Sequence, residues 1–168
     1  MKYFFAFLFI TACQTTPTLT PDQRRTLQTR IFKPASYNTV FRAFKTVMQD
    51  EGYIIKNLDM DGGFIVAETR KGMGGAYNTL IILGAFADGF SGQSSSAGNY
   101  ATGKTYTCTV NLEEIQKNVV EARLIFQKTT NYSRGGKAGG ELLDPEVYRN
   151  IFSKVYREVE RRKALKRK

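Results

Sequence analysis

Histidine is absent from this 168-residue chain. That removes the side chain that most often serves as a general base and most often ligates a metal. Ser/His and Cys/His catalysis and zinc hydrolysis therefore fall away as expectations. Cysteine is scarce, with only Cys13 and Cys108, so there is no paired-cysteine metal or redox motif. Long apolar runs are missing too. Tyr3 to Ile10 falls well short of the roughly 20 residues a bilayer span needs, and Leu80 to Ala87 is interrupted by Asp88. Acidic residues are outnumbered, 15 against 25 Lys and Arg, which leaves a formal charge of +10.

What is present at the start is a short cationic and apolar leader. Lys2 precedes Phe4, Phe5, Phe7 and Phe9, and the run closes on Ile10-Thr11-Ala12-Cys13. An aliphatic residue three positions before a cysteine, with small residues between, resembles the lipobox of bacterial lipoprotein signal peptides. The resemblance implies that the leader is cut before Cys13, that its sulfur carries a diacylglyceryl group, and that the new amine is acylated, with chains such as palmitate. No other cofactor is expected. Each buried methylene contributes about 0.8 kcal/mol, so one chain holds marginally and two or three hold durably. In the sorting rule of enteric lipoproteins an aspartate after the cysteine retains the protein at the inner membrane. Gln14 stands there instead, which implies the outer membrane, facing the periplasm. With Cys13 modified, Cys108 is the remaining thiol and no disulfide can form within the chain.

The division expected from this is a cleaved leader at 1–12, a lipidated N-terminus and flexible tether at 13–28, a single domain at 29–163, and a basic tail at 164–168. The Thr- and Pro-rich residues Gln14 to Asp22 are too polar to pack. The remainder, roughly 130 to 145 residues, suffices for one hydrophobic core.

Within it, hydrophobic spacing alternates between strand and helix periods. Arg30-Ile31-Phe32 reads as a strand. Ser36 offers a helix N-cap, and Tyr37, Val40, Phe41, Phe44, Val47 and Met48 recur at three and four until Gly52. Tyr53 to Leu58 and Phe64 to Arg70 are β-rich and joined by the turn-forming Asp59-Met60-Asp61-Gly62-Gly63. Thr105 to Leu112 places Tyr106, Cys108, Val110 and Leu112 on one face. Val119 to Gln127 does the same with Val120, Ala122, Leu124 and Phe126, after a turn near Gln116-Lys117-Asn118. Asp144 and Pro145 open a last helix carrying Tyr148, Ile151, Phe152, Val155, Tyr156 and Val159 at helical spacing. The sum predicts the α+β class: an antiparallel sheet of four to five strands with an N-terminal and a long C-terminal helix on one face.

Two stretches interrupt this order. Residues 71–100 form a Gly-flanked apolar insertion. Its Leu80, Ile81, Ile82, Leu83, Phe86 and Phe90 are candidates for membrane or partner contact, or for a short helix packed over the sheet. Thr130 to Gly140 reads as a polar, Gly-rich hairpin tip or connector.

Gly98 to Thr105 satisfies the phosphate-loop expression letter for letter. Its chemistry needs a strand before the loop and a helix after it, so that backbone amides converge on phosphate. Here a polar Ser-rich run precedes and the clearest strand follows, so nucleotide binding at this motif is rejected. Asp59 to Gly62 has too few oxygen ligands for a calcium loop. Cys108 reads as a small core residue.

Cations crowd the end of the chain: Arg157, Arg161, Arg162, Lys163, Lys166, Arg167 and Lys168. The helix macrodipole favours cations there by about 0.3 to 1 kcal/mol each. Their density exceeds that need and makes them candidates for contact with an anionic surface. Nucleic acid is disfavoured as a partner, because no aromatic stacking platform accompanies them.

The body also resembles a group of bacterial envelope lipoproteins. Thr29-Arg30-Ile31-Phe32, Gln49-Asp50-Glu51-Gly52-Tyr53, Gly62-Gly63-Phe64-Ile65-Val66-Ala67 and Leu143-Asp144-Pro145-Glu146-Val147-Tyr148 with Phe152 carry the likeness. The element order is similar to the helix-grip domains of a lipoprotein in the outer-membrane barrel assembly machine. These motifs are structural and bring no catalytic residues. The resemblance implies a non-enzymatic module that binds a protein partner in the envelope, in a secretion or assembly complex. Its alternative is a binder of an anionic ligand, whether peptidoglycan, lipopolysaccharide or DNA, through the basic C-terminal helix.

Overall fold

The computed structural model describes residues 19–72 and 101–166. The leader with Cys13, the apolar candidates from Leu80 to Phe90, and Arg167 and Lys168 lie outside the described residues. The class is α+β: an antiparallel sheet of six strands, one more than the upper expectation, with three helices.

Two long strands dominate. β4 (Ala101–Gln116) and β5 (Val119–Tyr132) turn back on each other through Lys117 and Asn118, whose φ is 63°. Their registered pairs run from Gln116↔Val119 to Ala101↔Tyr132. Period-2 alternation sends Tyr106, Cys108, Val110 and Leu112, with Val120, Ala122, Leu124 and Phe126, into the core. β3 (Phe64–Gly72) adds Ile65 and Ala67 beside them, and β2 (Ile54–Asp59) closes that edge. The β2–β3 turn is held by Asp59, whose Oδ1 accepts from the amides of Asp61 and Gly62 at 3.0 and 2.8 Å. Gly63 has a φ of 73°, and a Cβ there would collide with the Leu112 carbonyl, so glycine is required.

The other edge of β5 is shared. β1 (Thr29–Phe32) pairs with 120–123, and β6 (Lys137–Glu141) pairs with 127–131. β6 falls, all but Glu141, in the stretch Thr130 to Gly140 expected as a tip or connector. Its Ala138-Gly139-Gly140 has no side-chain alternation to betray a strand, yet Gly139 permits the close approach of the Lys128 carbonyl.

Helix α2 (Tyr37–Asp50) buries Val40, Phe41, Ala43, Phe44, Val47 and Met48 on the sheet. Ser36 stands at its N-cap, but its hydroxyl bonds the Thr39 hydroxyl at 2.8 Å rather than a backbone amide. At the other end Gly52, with a φ of 79°, permits a Schellman closure in which the Tyr53 and Gly52 amides donate to Met48 and Gln49 carbonyls. Helix α3 (Pro145–Lys166) starts where the Asp144 Oδ1 accepts from the Glu146 amide at 2.9 Å. It continues through residues 164–166, so the expected basic tail begins within the helix. Phe44 packs edge-on to Phe32 and Phe152, with centroids at 5.7 and 6.3 Å. Such pairs contribute about 0.5–1.5 kcal/mol beyond their area. Tyr156 stays 39% exposed, its hydroxyl donating to the Ile31 carbonyl at 2.7 Å.

The tether reading of 13–28 is corrected at its C-terminal end. Pro21–Gln28 form a helix, α1, closed by a capping box between Thr20 and Gln23. Its apolar content is too low for a periodic signal, and polar bonds hold it instead. Gln28 is fully buried, accepts from Arg123 Nε and Nη2 at 3.1 and 2.9 Å, and donates to Glu141, which also pairs with Arg24 at 3.2 Å.

Candidate functional site

The residues that carry reactive chemistry elsewhere are used structurally here. Cys108 is wholly enclosed, and burial pushes its thiol well above the ordinary range. Tyr148 donates to the Leu142 carbonyl at 3.1 Å and accepts from the Phe126 amide at 3.3 Å, bracing α3 against β5. In the phosphate-loop match, Ala101 to Thr105 begin β4. Gly103 pairs with Gly72 and Asn131, and Lys104 with Lys71 and Thr130. The Thr105 hydroxyl accepts from Asn131 Nδ2 at 3.4 Å. Gly103 to Thr105, paired on both edges, have their amides committed to the sheet, while Gly98 to Tyr100 lie outside the described residues. Among the described residues no three Cys, Asp or Glu side chains converge as metal ligands.

The charged chemistry lies along the seam between α2 and α3. The helices run antiparallel: Thr39 faces Lys166, Thr46 faces Arg162, and Glu51 faces Lys154. At the Glu51 end signs are balanced. Lys154 pairs with Glu51, whose side chain is only 8% exposed, and a shallow cavity of about 310 Å³ is lined by Asp50, Glu51 and Glu158 as well as Lys154, Arg157 and Arg161.

Toward the α2 N-terminus the balance is lost. One cavity of about 320 Å³ is lined by Asn38, Thr39, Arg42, Arg162, Leu165 and Lys166. An adjoining one of about 390 Å³ runs along the flank of α2 as far as Gln49, sharing Arg42 and Arg162 and adding Lys45, Thr46 and Met60. No carboxylate lines either cavity. Arg162 is positioned by Nε donating to Glu158 at 2.7 Å and Nη2 donating to the Thr46 hydroxyl at 2.8 Å. Lys166 Nζ donates to the Thr39 hydroxyl at 3.0 Å. Glu158 also accepts from Arg161 at 2.6 and 2.7 Å. The Arg161 hydrogen bonds, followed by that of Arg162, hold its carboxyl below its ordinary value, so it remains an anion shared between two guanidiniums.

The five terminal cations among the described residues thus separate. Arg162 and Lys166 meet α2, whereas Arg157 and Arg161 line the balanced end. Lys163 is tied to Glu160 at 2.6 Å, and both line a third groove with Pro34, Ser36 and Asn118 that shares Thr39 and Lys166 with the cationic cavity. Reading the sequence missed Arg42 and Lys45. They are exposed on the polar flank of α2, three residues apart, and only the helix pairing brings them to Arg162.

The fold and site define an antiparallel sheet covered on one face by two helices, with a cationic cleft where those helices meet. No helix among the described residues is long and apolar enough to cross a membrane. Comparison with profiles of known protein families and with characterised proteins found no match.

Proposed function

We propose that the chain is a non-enzymatic, lipid-anchored binding module of the bacterial envelope. Cys13 carries the lipid, the outer membrane holds it from the periplasmic side, and the α+β domain recruits an anionic partner through the cationic end of the α2–α3 seam. One observation carries the reading: Arg42, Lys45, Arg162 and Lys166, drawn from two helices, converge on adjoining cavities that no carboxylate lines. Arg162 shares the Glu158 carboxylate with Arg161, but Arg42, Lys45 and Lys166 are in no ion pair among the described residues; their like charges repel one another, and an anion relieves that repulsion.

A partner that is a protein is favoured separately by an edge of the sheet that is unpaired among the described residues. β2 ends the strand order, and Ile54 and Leu58 on it are 65% and 39% exposed. An extended segment of a secretion or assembly component would add there as a further strand.

Two experiments test these statements. In fatty-acid labelling the parent takes up label and Cys13→Ala does not; label on the variant ends the lipoprotein reading. Crosslinking in intact cells should recover partners that Arg42→Gln/Lys45→Gln loses. Partners kept by that variant and at high salt would move the binding site to the β2 edge.

A further inference from the structure

We infer that the cationic cleft is a binding site for the phosphate head groups of anionic membrane lipid. This deepens the binding-module reading and rests on it. The cleft differs from a merely basic helix end in three respects.

Its cations come from two elements. The macrodipole accounts for basic residues in the last turn of α3 but not for Arg42 and Lys45, which lie more than a turn from the C-terminal end of α2. Two of its cations are also held in place. The Thr46 and Thr39 hydroxyls and the Glu158 carboxylate fix Arg162 and Lys166, reducing the ordering cost of binding. Arg42 and Lys45 are in no ion pair among the described residues and are available to close on a ligand. The paired planar guanidiniums of Arg42 and Arg162 suit the oxygens of a phosphate, to which arginine donates bidentately.

The third feature selects a lipid over an acidic peptide or a free phosphate. Leu165 lines the same cavity as Arg42, Arg162 and Lys166 and is 59% exposed. An apolar side chain ringed by long cationic ones is the arrangement of a membrane interface, with the leucine below the phosphate level and the ammonium and guanidinium groups at it. Cavities of about 320 and 390 Å³ are at the small end of the ligand range, the scale of a head group and not of a whole lipid.

The test uses the full chain carrying Cys13→Ala, with phosphatidylcholine vesicles containing or lacking phosphatidylglycerol. The leader and the remaining cations are common to the parent and the variants, so the difference between these proteins on phosphatidylglycerol vesicles reports the cleft. At about 1 kcal/mol per cation near an anionic surface, Arg42→Gln/Lys45→Gln should lower partition into the phosphatidylglycerol vesicles roughly 30-fold. Lys56→Gln/Arg134→Gln, which removes the same charge elsewhere, should stay close to the parent. Leu165→Ser should weaken binding without changing its salt dependence.

Equal losses in the two double variants, or no preference for phosphatidylglycerol, overturn the inference. Displacement by soluble glycerol phosphate together with indifference to Leu165→Ser assigns the cleft to a free phosphate and overturns the lipid. If vesicle binding fails while crosslinked partners are still lost from Arg42→Gln/Lys45→Gln, the lipid assignment falls and the binding module stands. If neither readout depends on the cleft, both fall.

Discussion

The two ends of the α2–α3 seam are built from the same residue types and arrive at opposite electrostatics. At one end Lys154 finds Glu51, Arg161 finds Glu158, and Asp50 adds a further carboxylate. At the other, Arg42, Lys45, Arg162 and Lys166 share cavities that no acidic side chain lines. The balanced end serves cohesion, because an enclosed ion pair is costly to break. The cationic end adds self-repulsion, which the anionic ligand proposed for it would relieve. Arg42 and Lys45, which add charge there without an ion pair among the described residues, mark where a ligand should be sought.

That contrast can be broken in order of effect. Phe44→Ala removes the buried ring of α2 that packs between Phe32 of β1 and Phe152 of α3, and should cost about 3–5 kcal/mol in urea unfolding. Retention of near-parent stability would mean that the seam does not depend on its aromatic centre. Glu51→Gln leaves Lys154 without its carboxylate and should cost roughly 2–3 kcal/mol, below the range for fully enclosed pairs because Lys154 keeps 19% exposure. Against it, Arg42→Gln/Lys45→Gln should change stability by no more than about 0.5 kcal/mol. If the two variants destabilise equally, the division between a cohesive end and a binding end is wrong.

The smallest effect is a pH dependence. Glu158 is held below its ordinary carboxyl value by Arg161 and then Arg162, so its contribution is present above the unfolded value of about 4.3 and is lost as pH falls through the lowered folded value. The urea midpoints of the parent and Glu158→Gln should differ at neutral pH and converge on acidification. A gap that widened in acid would reverse the sign and place the proton elsewhere.

The elements legible in the sequence were those with an apolar period. Val40, Phe44 and Val47 announced α2, and Tyr106 to Leu112 with Val120 to Phe126 announced the central hairpin, because burying one face imposes a spacing that local residues alone reveal. α1 and β6 carry no such period. The former is held by its cap and by Gln28, Arg123 and Glu141, the latter by backbone pairing to β5. The capping box Thr20-Pro21-Asp22-Gln23 was the available signal for α1. Half of the candidate cleft was visible in the same way. Arg162 and Lys166 stood out as a dense run, whereas Arg42 and Lys45 looked like the ordinary wet flank of an amphipathic helix.

Sequence alone thus determined the α+β class, the two core-facing helices and the central hairpin, since each follows from the spacing of apolar residues within one segment. Only the tertiary structure decided which flank of α2 meets which flank of α3. Side chains distant along the chain acquire a shared electrostatic environment when packing sets two helices antiparallel, and no periodicity within either helix encodes that pairing.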